Sequence, residues 1–353
     1  MHIKGRGAQQ NPKNRFEQIH IEPDAFDDTE YEEKENYEKN INTVFYKDYS
    51  KSIISRNDSK DVGFDYSFNP YRGCEHGCIY CYARPTHEYL GFSSGIDFES
   101  KIVVKENAPT LLRKFFNNKN YKPDVIMFSG NTDCYQPVER KLKLTREALK
   151  ICLEFGNPVS IITKNSLILR DIDVLKEMAG KSLVAVMISI TTMNRELTRV
   201  MEPRTSLPER RINTIKVLAE NKVPVGVNIA PIIPGLNDKE IPSIIEVSAK
   251  AGANFAGRTM LRLPYSVKEL FLNWINENMP ERAGKIVNQI MQIRNGKLNE
   301  SEFGKRFTGE GELANTINNL FNLSCAKHGL NRSRPQLILN NFRAQRGSQI
   351  ELF

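Results

Sequence analysis

Six short apolar runs through the middle of the chain constrain its fold more than any other feature. They are FDYSFNPY (64–71), DVIMFSG (124–130), VSIITKN (159–165), LVAVMISI (183–190), VPVGVNIAPII (223–233) and FAGRTMLRL (255–263). The runs are rich in Val and Ile, only a few residues long and apolar on both faces, as strands buried inside a parallel sheet are. Between them lie helical patterns: APTLLRKFFNN, LTREALKICLEF, LILRDIDVLKEMAG, LPERRINTIKVLAENK and KEIPSIIEVSAKAGA. Ser206 precedes Glu209 by a capping-box interval, which predicts a helix opening at Leu207. Pro224 bars that helix from continuing beyond Lys222.

Strand–helix alternation at this spacing implies βαβ units around a parallel sheet, an α/β fold. From residue 64 to about 280 is roughly 216 residues, about 36 for each of six units, whereas a closed eight-unit barrel takes ~250. Six units suit an open doubly wound sheet or an incomplete barrel, and the pattern alone leaves both open. The flanks read differently. Residues 1–60 pass from a basic opening (Lys4, Arg6, Lys13, Arg15) to the acidic EPDAFDDTEYEEKENYEK at 22–39, a charge-blocked texture expected of a partly flexible arm. Residues 61–280 form the main domain. Residues 281–353 are less periodic and more basic, with a helix expected near 286–294 and a basic stretch carrying Lys327, Arg332, Arg334, Arg343 and Arg346.

No apolar run approaches the ~18 residues of a membrane span, and the opening MHIKGRGAQQNPKNRF lacks the apolar core of a signal peptide. A cytoplasmic protein with reduced thiols is therefore expected, so the clustered members of its six cysteines point to metal binding or chemistry. Lys and Arg number 50 against 42 acidic residues, a net +8 that permits a polyanionic partner without requiring one. The cluster is YRGCEHGCIYCYARP, which sets Cys74, Cys78 and Cys81 at C-x3-C-x2-C. A structural zinc site needs four closed ligands, and the fourth would have to be His76, His87 or Cys134. A ferredoxin-type cluster also takes four cysteines. Three thiolates instead leave one iron of a [4Fe–4S] cube open for catalysis.

This loop, with the aromatic Tyr80 just before the last cysteine, resembles the signature of the radical S-adenosylmethionine (SAM) superfamily. The wider NPYRGCEHGCIYCYARPTHEYL is similar to the branch of spore photoproduct lyases and DNA-repair photolyase-like proteins. The resemblance spans roughly 60–265 and implies a partial (β/α)6 TIM-type barrel. It also implies that Cys74, Cys78 and Cys81 hold a [4Fe–4S] cluster whose open iron is chelated by SAM. Reductive cleavage would then release a 5′-deoxyadenosyl radical that abstracts a substrate hydrogen. A small flavodoxin or ferredoxin would supply the electron.

Barrel enzymes build their sites at the carboxyl ends of strands, and these ends are polar here. By the same resemblance, Tyr80 packs near the adenine, and Ser129, Gly130, Asn131 and Asp133 after the second strand contact the SAM amino group. Lys164 after the third strand pairs with its carboxylate, Ser189 meets the ribose, and Asn228 lies near the adenine. Glu202 and Arg204 in MEPRT are expected either at SAM or substrate or paired across the helix start. Arg258 and Arg262 on the sixth strand are candidates for a phosphate. Cys152 lies on an apolar helical stripe and Cys325 in an isolated C-x-x-H, so both are expected to be structural. Cys134 is the candidate hydrogen-returning thiol, although the lyase branch carries its thiol earlier, where Gly130 and Asn131 stand here. The expected substrate is a nucleic acid, with damaged DNA foremost; a protein or tRNA substrate, or a metal-bearing nucleic-acid-binding module without turnover, are the alternatives. The terminal Gln349–Phe353, QIELF, resembles the short peptides that dock repair proteins on the sliding clamp. Its alternative is an apolar tail folded back on the barrel.

Overall fold

The computed structural model describes residues 3–16, 41–59, 61–333 and 335–344. Ten strands are present among them: β1 (Val44–Lys47), β2 (Ile54–Arg56), β3 (Tyr66–Phe68), β4 (Tyr71–Arg72), β5 (Lys101–Val104), β6 (Ile126–Phe128), β7 (Val159–Thr163), β8 (Val184–Ser189), β9 (Val225–Ile232) and β10 (Phe255–Met260). The six apolar runs supply β3 and β6 to β10. These pair in parallel in the order β3–β6–β7–β8–β9–β10, with β2 added antiparallel at the β3 edge. A doubly wound sheet reverses its order at a switch point. Here spatial order follows chain order from end to end, and β10 does not return to β3, so the sheet is a partial six-unit barrel.

Burial explains why these runs are strands. Phe68, Phe128, Ile161, Val186, Val227 and Ile229 are fully enclosed, and together they form one core beneath the helices. The helix Leu144–Phe155 coincides with its sequence pattern, burying Ala148, Leu149, Cys152 and Phe155 along one stripe. A separate small sheet, β1–β5–β4, flanks the barrel mouth and carries the chain into the cysteine loop.

Two expectations about local structure need correction. The helix expected to open at Leu207, the second after β8, runs Pro208–Glu220 with Leu207 as its N-cap and no side-chain cap. The Ser206 hydroxyl instead accepts the Ser166 backbone N–H at 2.9 Å, tying the helix start to the loop after β7. The region after 280 holds two helices, Pro280–Gln292 and Gly311–Lys327, where only one was anticipated.

Both flanks pack against the barrel. Ile3 and Ala8 are buried with Leu261, Phe271 and Trp274. At the far side, Asn331 accepts the Ala256 N–H and donates to its carbonyl, covering the exposed edge of β10, where an unpaired edge would otherwise invite association. The acidic stretch 22–39 and the terminal Gln349–Phe353 lie outside the described residues. No helix among the described residues is long and apolar enough to cross a membrane.

Candidate active site

A cavity of about 640 Å³ opens at the carboxyl ends of the strands, within the range of small-molecule sites. Cys74, Cys78 and Cys81 all line it. Their loop is held by backbone bonds from Cys74 N to Phe98 O and from Ile79 N to Met201 O. It turns through Gly77 at φ 67°, where a β-carbon would stand 2.6 Å from the Glu99 carboxylate. Arg84 and Glu99, an entirely buried ion pair, brace it from behind. Arg84 Nε donates to Cys78 O at 3.0 Å and Nη2 to Gly77 O at 3.2 Å, while Glu99 accepts the N–H groups of Gly7 and Ala8. The first residues of the chain thereby brace the loop as well. Burial pushes all three thiols up, Cys78 to about 12, and the Cys74 thiol is raised further by Asp133 and by the other two cysteines.

The strand ends bring the anticipated polar set to the same cavity. Tyr80, Ser129, Gly130, Asn131, Asp133, Lys164, Ser189 and Asn228 all line it. Ser189 and Asn228 are direct cross-strand partners at the ends of β8 and β9. Lys164 Nζ stands 5.7 Å from the Tyr80 ring centre and faces the thiols of Cys78 and Cys81. The Ser129 backbone is left-handed at φ 69°, which turns its hydroxyl under the loop to accept the Cys134 N–H at 2.8 Å.

Asp133 acts first as a weld between segments. It accepts Thr163 Oγ1 at 2.8 Å, Lys164 N at 2.9 Å and Tyr135 N at 2.8 Å, and lies 3.4 Å from His76 Nδ1. Burial alone would raise its carboxyl, but the neighbouring His76 and these hydrogen bonds hold it below the usual carboxylate range.

Cys134 does not line the cavity; it is fully buried in the main core. The candidate hydrogen-returning thiol therefore stands behind the cavity wall rather than on it. Cys152 and Cys325 are core residues too. Glu202 lies behind the wall: it accepts from Tyr80 Oη, from Thr191 Oγ1 at 2.6 Å and from buried Arg211. Although burial works against it, Arg211 and Lys164 hold this carboxyl at about 2. Arg204 turns to Thr43 and Glu75. Arg258 bonds Asn318 Oδ1 at 2.7 Å and stacks on Phe321, so of the two sixth-strand arginines only Arg262 reaches the cavity.

Among the rim residues without a sequence signal of their own are Tyr82, Arg306 and Phe307. The last two come from the segment after 280. Buried Arg294 draws that segment to β10 by donating to the carbonyls of Leu261, Lys305 and Arg306, and Met260 N donates to Phe307 O at 2.9 Å.

The donor set can be tested against the groups it would hold. Among the described residues no three His, Cys, Asp or Glu groups converge on a single ion. The candidates for a fourth zinc ligand are also elsewhere: His76 is engaged by Asp133 and Asn165, and Cys134 is off the cavity. His87 sits between Phe92 and Phe98. Three thiols lining one cavity together with a row of strand-end polar groups instead fit a three-thiolate cluster beside a zwitterionic ligand.

A six-strand partial barrel with a three-cysteine loop at its carboxyl mouth defines an iron–sulfur radical enzyme. The family model for the radical SAM superfamily matches residues 68–247, and the chain belongs to that superfamily. Its cofactors are accordingly a [4Fe–4S] cluster and SAM. The uncharacterized protein Rv2578c of Mycobacterium tuberculosis is 32% identical over 69% of this chain and 72% of its own length. The uncharacterized protein MJ0683 of Methanocaldococcus jannaschii is 35% identical over 66% and 83%. Among solved structures, spore photoproduct lyase complexed with dinucleoside spore photoproduct has the same fold. It aligns with a TM-score of 0.57 at 16% identity, covering 81% of this chain and 80% of that one.

Proposed function

We propose that this enzyme abstracts a hydrogen atom from a nucleotide of a nucleic-acid substrate. One observation carries the proposal: the cavity that holds the three thiols and the strand-end polar set is rimmed by aromatic and cationic side chains. Phe64, Tyr82 and Phe307 share the lining with Arg56, Arg262 and Arg306. Aromatic faces that stack bases beside guanidinium groups that take phosphates are the working parts of a nucleotide site. A base that reacts inside such a cavity enters unpaired or extruded from a duplex.

Cys74, Cys78 and Cys81 hold the cluster, which together with SAM supplies the one-electron chemistry and the abstracting radical when bound. The remaining roles belong to the chain. Lys164 presents an ammonium to the SAM carboxylate. The Ser129–Asp133 loop offers backbone and side-chain acceptors to the SAM amine, and Ser189 with Asn228 brackets the ribose and adenine. Tyr80 is a wall held rigid by Glu202. A small flavodoxin or ferredoxin delivers the electron.

The test is anaerobic incubation of the reconstituted enzyme with SAM and dithionite, with and without ultraviolet-irradiated DNA, tRNA or a peptide extract. Mass spectrometry then follows 5′-deoxyadenosine and any change in a nucleobase. Substrate-dependent 5′-deoxyadenosine with an altered base in DNA or tRNA supports the proposal. Turnover stimulated only by the peptide arm refutes it.

A further inference from the structure

Of the three cavity-lining arginines, Arg56 stacks on Tyr66 and, like Arg262, has no ion pair among the described residues. Arg306 spends its guanidinium on Asp61, with Nε donating at 2.8 Å and Nη2 completing the pair. Arg262 forms no ion pair among the described residues, and its Nε is buried without a hydrogen-bond partner. Nε is closed off from the cavity, whereas the two Nη groups are not buried and have no hydrogen-bond partner among the described residues, so they are the donors left for an acceptor from outside the chain.

The position is built. The guanidinium stands 5.1 Å from the Phe307 ring centre and 5.7 Å from that of Tyr82, and the Arg306 guanidinium lies 4.8 Å from Phe307 as well. Tyr82 is itself fixed by donating its hydroxyl to Gly130 O at 2.6 Å. Rings flanking a guanidinium cover its faces and leave its N–H edge for a ligand, and that fork matches the oxygens of a phosphate. Asp61 pairs with Arg306 and reaches Arg262 only as a more distant charge, without a hydrogen bond to it.

We propose that Arg262, framed by Tyr82 and Phe307 and backed by Arg306, is the oxyanion subsite that grips a phosphodiester of the substrate strand beside the reacting nucleotide. This rests on the nucleic-acid reading above. Tyr82 follows Cys81 directly in the chain, so a phosphate held there sets the adjoining nucleotide at the cluster side of the cavity. Substrate selection by this wall then depends on the segment after 280, which brings Phe307 and Arg306 to the rim.

The experiment measures binding by fluorescence anisotropy of the full chain with a fluorescein-labelled single-stranded oligothymidylate. A second probe has the same bases on an uncharged methylphosphonate backbone. Arg262→Gln is expected to weaken the phosphodiester probe roughly tenfold and to leave the methylphosphonate probe unchanged. It should also lower the salt slope of binding by about 0.7, the value of one single-strand phosphate. Arg262→Lys, which keeps charge but not the fork, should fall between wild type and Arg262→Gln. Thermal melting guards against misfolding, and if Arg262→Gln melts early, Arg262→Lys carries the comparison. Wild-type affinity and salt slope in a folded variant would overturn the subsite and leave the nucleic-acid reading standing. Failure of the wild-type chain to bind either probe would overturn that reading, and the subsite with it.

Discussion

Replacing Glu202 by Gln tests the buried network behind Tyr80. The carboxylate receives Tyr80 Oη and Thr191 Oγ1 on one oxygen and Arg211 on the other. Glutamine keeps the volume but removes the charge facing Arg211, a side chain only 1% exposed. Arg211 retains neutral acceptors in Ser206 O at 2.7 Å and Ser189 O at 3.0 Å, so its hydrogen bonding is reduced rather than abolished. Breaking one side of a buried pair costs about 3–5 kcal/mol. The depression of the carboxyl from 4.5 to about 2 independently corresponds to about 3 kcal/mol. With an unfolding entropy of about 2.1 cal/mol/K per residue, a chain of 353 residues loses roughly 4–7 °C in melting midpoint. Because the folded carboxyl titrates below its unfolded value, its contribution is complete above pH 4.5 and fades as pH falls toward 2. Glutamine does not titrate, so the gap between wild type and variant should narrow over that window. Scanning calorimetry from pH 7 down to the acid limit of reversibility reads both effects. A gap under about 1 °C at pH 7, or one that widens on acidification, would refute the reasoning.

Four other outcomes are expected. Cys74→Ala, Cys78→Ala and Cys81→Ala should each abolish cluster retention and SAM cleavage after anaerobic reconstitution, and full iron content in any one of them would break the ligand assignment. Lys164→Ala should keep its iron but lose SAM affinity by about 1.5–3 kcal/mol, the worth of a charge-assisted hydrogen bond, as read by calorimetry. Cys134→Ala should retain 5′-deoxyadenosine formation and product release, with a stability loss of about 1 kcal/mol from its small cavity; loss of product in a well-folded variant would restore a chemical role. Burial holds the His87 imidazole at about 4 against 6.5, so stability should fall by about 3 kcal/mol as pH drops from 6.5 to 4, and His87→Phe should flatten that slope in denaturant titrations.

Much of the barrel was legible because its determinants are local. A run such as LVAVMISI is apolar on both faces and too short for a helix, so burial in a parallel sheet is its main outlet, and β8 forms there. Choosing between an open sheet and a partial barrel was beyond the pattern, because strand order is a property of pairing rather than of any one strand. Where a local rule failed, a longer-range bond had outcompeted it. The Ser206 spacing fits a capping box, yet its hydroxyl is worth more to the Ser166 N–H across the loop, and Pro208 starts the helix without it. The helix Gly311–Lys327 escaped notice because Asn315, Asn318, Asn319 and Asn322 lower its intrinsic propensity, and packing of Ile317 and Phe321 overrides that deficit.

The same division runs through the site. Three cysteines within eight residues announce themselves, since one loop must present them together, and each polar strand end follows from its strand. What encloses them is assembled from distant parts of the chain. Tyr80 is steadied by Glu202 122 residues away, and Arg306 is anchored by Asp61 245 residues away. Each of these residues alone reads as ordinary surface or helix-end polarity. The cysteine loop and polar strand ends are therefore specified by short segments, whereas the wall with Arg306 and Phe307 is specified by tertiary contacts between β10 and the segment after 280. On the proposed reading, substitutions at Arg262, Arg306 and Phe307 would change substrate binding without touching the residues that would hold the cluster and SAM.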